Sequence, residues 1–348
     1  MHSRNNRYGI ASATLVVALS AASWAARAAP PVYLITPDSP DVIGELGQTT
    51  TVYKDTISDL ARNFDQGYRE MRLANPKVDS WLPGDGAAVV VPSMYVIPKG
   101  PRDGLIINVA EMRMYYFNGK DASGAKRLMT FPISIGRENW VTPKGRTSVV
   151  GKVKNPAWHP PKSIRKEHAE EGDILPTVVP AGPDNPLGTH ALMLGLEGYL
   201  IHGTDKPFGI GMRVTHGCIR MYPEDIVTMF NATPVGTPVY IVNQPYKIGI
   251  ASGSIYLEVH PHLEEEAANA TAEQYSQVVK MILERVKDYD AALVWADIKR
   301  ALESPSGIPQ VVGTVQAKTR SEAAATGSEP RHIARHRSRS VASRLRRV

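Results

Sequence analysis

The chain has a single cysteine, Cys218, in 348 residues, so no internal disulfide can form. After residue 28 no apolar run approaches the roughly 20 residues a membrane-spanning helix needs. There is no Cys-x-x-Cys pair, which removes the dense ligand spacing of a structural zinc site. The body also lacks positive charge. The formal charge of +6 includes +7 from Gln316 onward, where nine Lys or Arg face two Glu, and +3 from the first 28 residues, leaving the segment between them at −4. Basic character is therefore local, and nucleic acid is not an expected partner.

What is present is enough for more than one core: 43% of the residues are hydrophobic, in a chain longer than one typical domain. Residues 1–28 read as an export signal. Arg4 and Arg7 precede an apolar stretch from Ile10 to Trp24, and Ala26-Arg27-Ala28 offers a small-x-small cleavage site. The expected location is the periplasm or cell envelope, where thiols tend to be oxidised. A lone cysteine kept there calls for a chemical reason.

The chain divides by texture. Between Gly44 and Pro98 the pattern predicts strand, helix, helix, strand: Thr50 to Tyr53, Ile57 to Phe64, Tyr68 to Leu73 stopped by Asn75-Pro76, and Val89 to Pro92. Residues 104–243 predict a mainly β domain. Its strands are expected at Leu105 to Val109, Met112 to Phe117 ending in an Asn118-Gly119 turn, and Leu128 to Ile135. The Pro-rich stretch from Pro156 to Pro186 reads as a loop covering a site. In residues 250–310 a strand at Ile255 to Val259 is followed by a helical pattern from Thr271 to Leu302. There Thr271 and Gln274 have capping-box spacing, and Tyr275, Val278, Val279, Ile282, Leu283 and Val286 form a core-facing stripe. The tail, residues 316–348, carries eight arginines among Ser and Ala and is too poor in apolar residues to fold. It would be a solvated end or a contact with anionic envelope polymers or lipid headgroups.

The chemistry concentrates around Thr215-His216-Gly217-Cys218-Ile219-Arg220-Met221, with a second histidine in Ile201-His202-Gly203-Thr204 sixteen positions before the cysteine. A thiol near its reference pKa of ~8.5 is only a few per cent thiolate at neutral pH, so a working nucleophile needs a base, and His202 is placed to be it. Tyr199 to His202 reads as a strand end and Cys218 to Met221 as a strand start. If the two pair antiparallel, His202 and Cys218 come side by side. Strand alternation lets His216, Cys218 and Arg220 share a face, with Arg220 able to hold a carboxylate in two-point contact. Gly217 allows a substrate carbonyl to approach the backbone, making the Gly217 and Cys218 N–H groups candidate oxyanion donors. His159, His168, His190, His260 and His262 lack such framing and read as structural.

This constellation resembles the signature of the YkuD-type L,D-transpeptidases, in particular their ErfK/YbiS/YcfS/YnhG group. Ile133-Ser134-Ile135-Gly136, Thr142-Pro143-Lys144-Gly145 and Ala191-Leu192 to Leu196 are similar to the same domain. Asp55-Thr56, Ile57-x-x-Leu60-Ala61, Asn75-Pro76 and Leu82-Pro83-Gly84 resemble a LysM module, a wall-glycan binding unit, with Lys54 where that family usually has glycine. The resemblance implies a β-sandwich with the cysteine on a strand beneath a capping subdomain. It also implies acyl transfer on peptidoglycan stem peptides without metal or other cofactor. Cys218 would attack the carbonyl joining the third stem residue to D-Ala, with His202 as proton donor and acceptor and the Gly203 carbonyl, His216 and Arg220 in support. Carbapenem-type β-lactams should acylate Cys218. The acceptor stays open between a second stem peptide, the lysine amine of an outer-membrane lipoprotein or protein, and water, which would make the enzyme a hydrolase. A zinc site from His202, His216 and Cys218, or a wall-binding protein without activity, are the readings from other classes.

Overall fold

The computed structural model describes residues 30–266 and 273–318. The expected signal segment, most of the basic tail and Thr271 with its capping box lie outside the described residues. Among the described residues no helix is long and apolar enough to cross a membrane.

The N-terminal part supplies β1 (Tyr33–Ile35), β2 (Val42–Gly44), β3 (Gly47–Thr50), α1 (Ile57–Asn63), α2 (Tyr68–Ala74), β4 (Ala88–Val91) and β5 (Met94–Val96). β3 pairs antiparallel with β4 around the two helices, in the order strand, helix, helix, strand. The first strand ends at Thr50, earlier than expected. Thr51 is buried there, and its backbone and hydroxyl groups bind the turn residues Gly84, Gly86 and Ala87. Thr56 caps α1 through a reciprocal bond with Asp59, and the Asn75 amide ties the end of α2 to both faces of the Val90 peptide. Ile57, Leu60, Ala61, Met71 and Val89 form this unit's small core.

The central domain is mainly β. Its elements are β6 (Gly104–Asn108), β7 (Arg113–Lys120), β8 (Lys126–Pro132), β9 (Ile135–Gly136), β10 (Gly145–Lys154), α3 (Lys162–Glu170), β11 (His190–Leu194), β12 (Leu200–His202), β13 (Arg213–Thr215), β14 (Ile219–Arg220), α4 (Pro223–Ala232) and β15 (Pro238–Val242). The main sheet has the order β1-β8-β7-β6-β15-β10-β11-β12-β14. β10 pairs with β15 through its first half and with β11 through its second. A register shift between Val149 and Gly151 separates the halves, so one bent strand passes from one layer to the other. Leu105, Ile107, Met114, Phe131, Leu192, Ile201, Ile219 and Met229 fill the space between the layers. β6 is buried on both faces, because Ile106 packs the other way with Ile35, Ile43 and Tyr95 of the N-terminal part. That is why its sequence is a continuous apolar run.

Several expectations are corrected. Asn118-Gly119 is not the hairpin turn: β7 runs through it with a register shift, and the chain reverses at Asp121 to Gly124. The Asp121 carboxylate accepts from the Ser123 and Ala125 amides and stabilises the turn there. The strand expected over Leu128 to Ile135 is broken at Ser134, whose backbone bridges Arg220 instead. The Pro156–Pro186 stretch contains a helix, α3.

The C-terminal part holds β16 (Tyr246–Ala251), β17 (Ser254–Val259), α5 (Gln274–Val286), β18 (Tyr289–Leu293), α6 (Trp295–Glu303) and β19 (Gln310–Ala317), with the sheet order β16-β17-β19-β18. The helical pattern expected from Thr271 to Leu302 is thus two helices with a strand between them, because β18 is needed to pair the free side of β19. On α5 only Val278, Ile282 and Val286 are buried, while Tyr275 and Leu283 are exposed. β19 extends to Ala317, beyond the expected start of the tail at 316.

A buried charge cluster joins the three parts. Lys247 Nζ lies 2.6 Å from Glu111 and 2.7 Å from Glu258, all fully buried, and the other Glu258 oxygen accepts from Val96 N–H at 2.6 Å. Removing one partner of such a pair leaves a bare buried charge. Lys247→Met should therefore lower the unfolding free energy by about 3–5 kcal/mol, read as an earlier urea midpoint. A midpoint equal to that of the wild type would contradict this account.

Candidate active site

β12 and β14 are parallel neighbours, with Ile201 opposite Ile219 and His202 opposite Arg220. The antiparallel pairing expected from the sequence is wrong, because parallel neighbours cannot be joined by a tight turn and need a crossover. The fifteen residues between His202 and Cys218 make that crossover, through a short helical turn at Pro207–Gly209 and then β13, which pairs parallel with β9. Extending the register by one residue sets Cys218 opposite Leu200. The strand expected to start at Cys218 starts at Ile219, and the Cys218 Sγ lies against the Gly198 carbonyl and the Leu200 backbone, at the start of the strand that ends in His202.

Exposure alternates along the motif: Thr215, Gly217 and Ile219 are buried, whereas His216, Cys218 and Arg220 are half-buried. Gly217 has a φ of +101°, and a Cβ there would lie 2.8 Å from the Tyr199 ring, so glycine is required twice over. Its N–H donates to Thr215 Oγ1 at 3.2 Å, its carbonyl accepts from Thr142 Oγ1 at 2.8 Å, and the Thr215 hydroxyl donates to the Cys218 carbonyl at 2.6 Å. Of the two expected oxyanion donors, the Gly217 amide is thus engaged within the loop, which leaves that of Cys218.

The crossover is gripped by the N-terminal helices. Ser58 Oγ donates to the Phe208 carbonyl at 2.9 Å, and the Tyr68 and Arg69 amides donate to Ile210 and Gly211. Gly211, at φ +84°, lies so close to α2 that a Cβ would come within 2.4 Å of Tyr68 N. A bidentate pair between the guanidinium of Arg113 and Glu70, both buried, anchors α2 to β7.

His202 is 4% exposed, and its Nδ1 donates to the Gly203 carbonyl at 2.7 Å. With Nδ1 carrying the proton, Nε2 of the neutral ring is an acceptor. Burial, followed by the nearby Arg220 charge, pushes the His202 pKa down from 6.5 to about 3. Burial raises the Cys218 thiol above its ordinary value, against a Leu200 backbone hydrogen bond and Arg220, which both favour the thiolate. Sγ donates to the Gly198 carbonyl at 3.6 Å. Both candidate groups are therefore neutral at rest, a thiol and an imidazole. Arg220, lowered by its own burial, has a buried Nε that no hydrogen-bond acceptor meets among the described residues.

His216 points away from this pair. Its Nε2 lies 2.9 Å from Glu167 Oε2 on α3 and 3.0 Å from Arg137, and Trp140 packs edge-on against the ring with centroids 4.9 Å apart. Sequence reasoning missed Glu167, Arg137, Trp140, Tyr199 and Leu200. Only Thr142, within Thr142-Pro143-Lys144-Gly145, had a motif to mark it. His168, read as structural, sits 6.2 Å from the His216 ring. Among the described residues the side chains whose donor atoms gather within 4.8 Å as metal ligands do are Glu111, Glu258 and His260, where Lys247 already supplies the cation. His202, His216 and Cys218 form no such group.

The YkuD domain, described as an L,D-transpeptidase catalytic domain, matches residues 102–241. The fold and the match together define an enzyme of the L,D-transpeptidase type. The probable L,D-transpeptidase ErfK/SrfK of Salmonella typhimurium is 36% identical over 80% of this chain and 89% of its own length. The Escherichia coli protein of the same name is 39% identical over 68% and 76%, and probable L,D-transpeptidase YbiS of Escherichia coli 37% over 72% and 82%. The chain belongs to the L,D-transpeptidase family. A solved L,D-transpeptidase 3 from Mycobacterium tuberculosis, 18% identical, covers 45% of this chain and 67% of its own with a TM-score of 0.30, an overlap too slight to add to the assignment.

The His202 shift fixes a pH response. The folded state binds fewer protons than the unfolded state between pH 6.5 and about 3. The stability His202 contributes is therefore whole above pH 6.5 and lost as the pH falls toward 3, by several kcal/mol and at most roughly 5. His202→Gln should flatten the stability profile over that window, measured by urea unfolding at stepped pH. Parallel profiles for the two proteins would show that His202 is not held neutral.

Proposed function

We propose that the protein is a cysteine-dependent L,D-transpeptidase of peptidoglycan, acting in the cell envelope after export by its first 28 residues. The observation that supports this reading is the parallel register of β12, which ends in His202, with β14, which Cys218 immediately precedes, together with the Gly203 carbonyl that fixes the His202 tautomer.

The Cys218 thiol proton passes to His202 Nε2, and Sγ attacks the carbonyl joining the third residue of a tetrapeptide stem to D-Ala. Thiolate and imidazolium form together, so each offsets the desolvation of the other. The Cys218 N–H stabilises the oxyanion, and the half-buried Arg220 holds a substrate carboxylate. Collapse breaks the C–N bond, His202 returns its proton to the departing D-Ala amine, and a thioester remains. An acceptor amine then attacks the thioester, gives up a proton to His202, and Cys218 is released when that proton returns to sulfur. An acceptor stem gives a 3-3 crosslink, and a protein lysine an attached outer-membrane protein. The N-terminal unit serves as the LysM-like module. Its exposed Val52, Tyr53, Trp81 and Leu82 lie on loops joined by the Ile57 N–H to Ser80 carbonyl bond, a platform suited to stacking on a glycan strand. The basic tail adds attraction to anionic envelope polymers.

Incubation with defined tetrapeptide muropeptides should yield crosslinked dimers lacking one D-Ala by mass, and Cys218→Ala should yield none. Dimer formation by Cys218→Ala at the wild-type rate would refute the thiol mechanism. His202→Ala should slow acylation of Cys218 by a carbapenem about 10²–10⁴-fold, followed by intact mass over time. An unchanged rate would remove His202 from the chemistry.

A further inference from the structure

We propose that Glu167 of α3 is a positioning residue for the acyl-transfer reaction. Acting through His216, it fastens the Pro156–Pro186 segment to the cysteine motif and so shapes the cleft that receives the acyl donor. This rests on the reading of Cys218 as the acylated residue.

The segment is held firmly at its base and lightly at its tip. At the base Trp158 and Val179 exchange backbone bonds, and the Asn185 amide, 1% exposed, donates to the Pro156, Val179 and Pro180 carbonyls. The tip is α3, in which Ile164 alone is buried, so little apolar area fixes the helix in place. Glu167 supplies what burial does not. One carboxylate oxygen meets His216 Nε2 at 2.9 Å and the other pairs with Arg137, whose own N–H donates to the Thr215 carbonyl at 3.0 Å. Both partners of Glu167 are thus tied to the strand that leads to the cysteine.

His216 Nε2 faces the Arg137 guanidinium and the Glu167 carboxylate at once, yet one ring nitrogen either donates or accepts. With Nε2 protonated, His216 donates to Glu167 and α3 is fastened to the residue two before Cys218. With Nε2 bare, it accepts from Arg137, and α3 is held through the Glu167–Arg137 pair alone. The three side chains keep 24% to 38% exposure, so water can compete for the pair and the helix can release. Glu167 itself reaches neither Sγ nor His202 in any contact of the structure. Its effect on the reaction runs through the cleft wall.

Glu167→Ala and Glu167→Gln in the full chain test this. Glu167→Ala should raise KM for a tetrapeptide donor about tenfold with kcat within about twofold, and should speed amide hydrogen exchange over 158–179. Glu167→Gln, which keeps an acceptor for His216, should recover most of the KM and of the protection. Cys218 alkylation by iodoacetamide should stay within about twofold, since so small a reagent does not need the cleft wall. In a Glu167→Ala/His216→Gln double variant, exchange should be no faster than in the faster single variant. Unchanged exchange in Glu167→Ala, alkylation falling in step with turnover, or additive effects in the double variant would each overturn the proposal. If the wild type does not turn over tetrapeptides, the transpeptidase reading fails while the exchange and double-variant arms still decide the latch.

Discussion

The pairing of two short parallel strands, Leu200–His202 and Ile219–Arg220, is the constraint on which the rest of the structure depends. Parallel neighbours demand a long return path, and here that path is a crossover that leaves the sheet, touches the N-terminal helices, pairs with Ile135–Gly136 and comes back. The N-terminal unit is thereby packed against the crossover that leads to the candidate site. Gly211 and Gly217 sit at the two points where the returning chain is most crowded, one against Tyr68 and the other against Tyr199.

Burial then sets the electrostatics. Both members of the candidate pair are held neutral by desolvation, so charge appears only when the proton moves, and a nearby guanidinium stands ready for it. A neutral, half-buried sulfur is less open to oxidation than a permanent thiolate. Arg220 weighs against an imidazolium at His202 and in favour of a thiolate at Cys218, so its effects on the two partners of the proton transfer oppose each other.

The same economy of buried charge holds the parts together. Arg113 with Glu70, and Lys247 with Glu111 and Glu258, lie where elements distant in sequence meet. Such pairs specify one docking geometry because any other would strand a charge away from water. None of these partners was legible beforehand, since a charged residue in a sequence does not announce that it is buried. The strand Tyr289–Leu293 was missed for a related reason. Tyr-Asp-Ala-Ala-Leu has little strand character of its own and pairs only because β19 offers a free side. Asn118-Gly119 misled because its turn preference is met by an irregularity within a strand, while Asp121 forms the true reversal.

By itself the sequence determined which groups are candidates for the chemistry, the glycine between His216 and Cys218 and the mainly β character of their domain. These follow from local chemistry: a lone thiol, an imidazole near it in sequence, a flexible backbone position and strand-forming residues. Only the tertiary structure decided that the two strands run parallel, since a fifteen-residue connection fits either direction and side-chain alternation is the same in both. It also decided that His216 turns toward Glu167 and Arg137 instead of toward the thiol. That partnership depends on a helix contributed from about fifty residues upstream, a separation of 49 positions that only the packed chain closes.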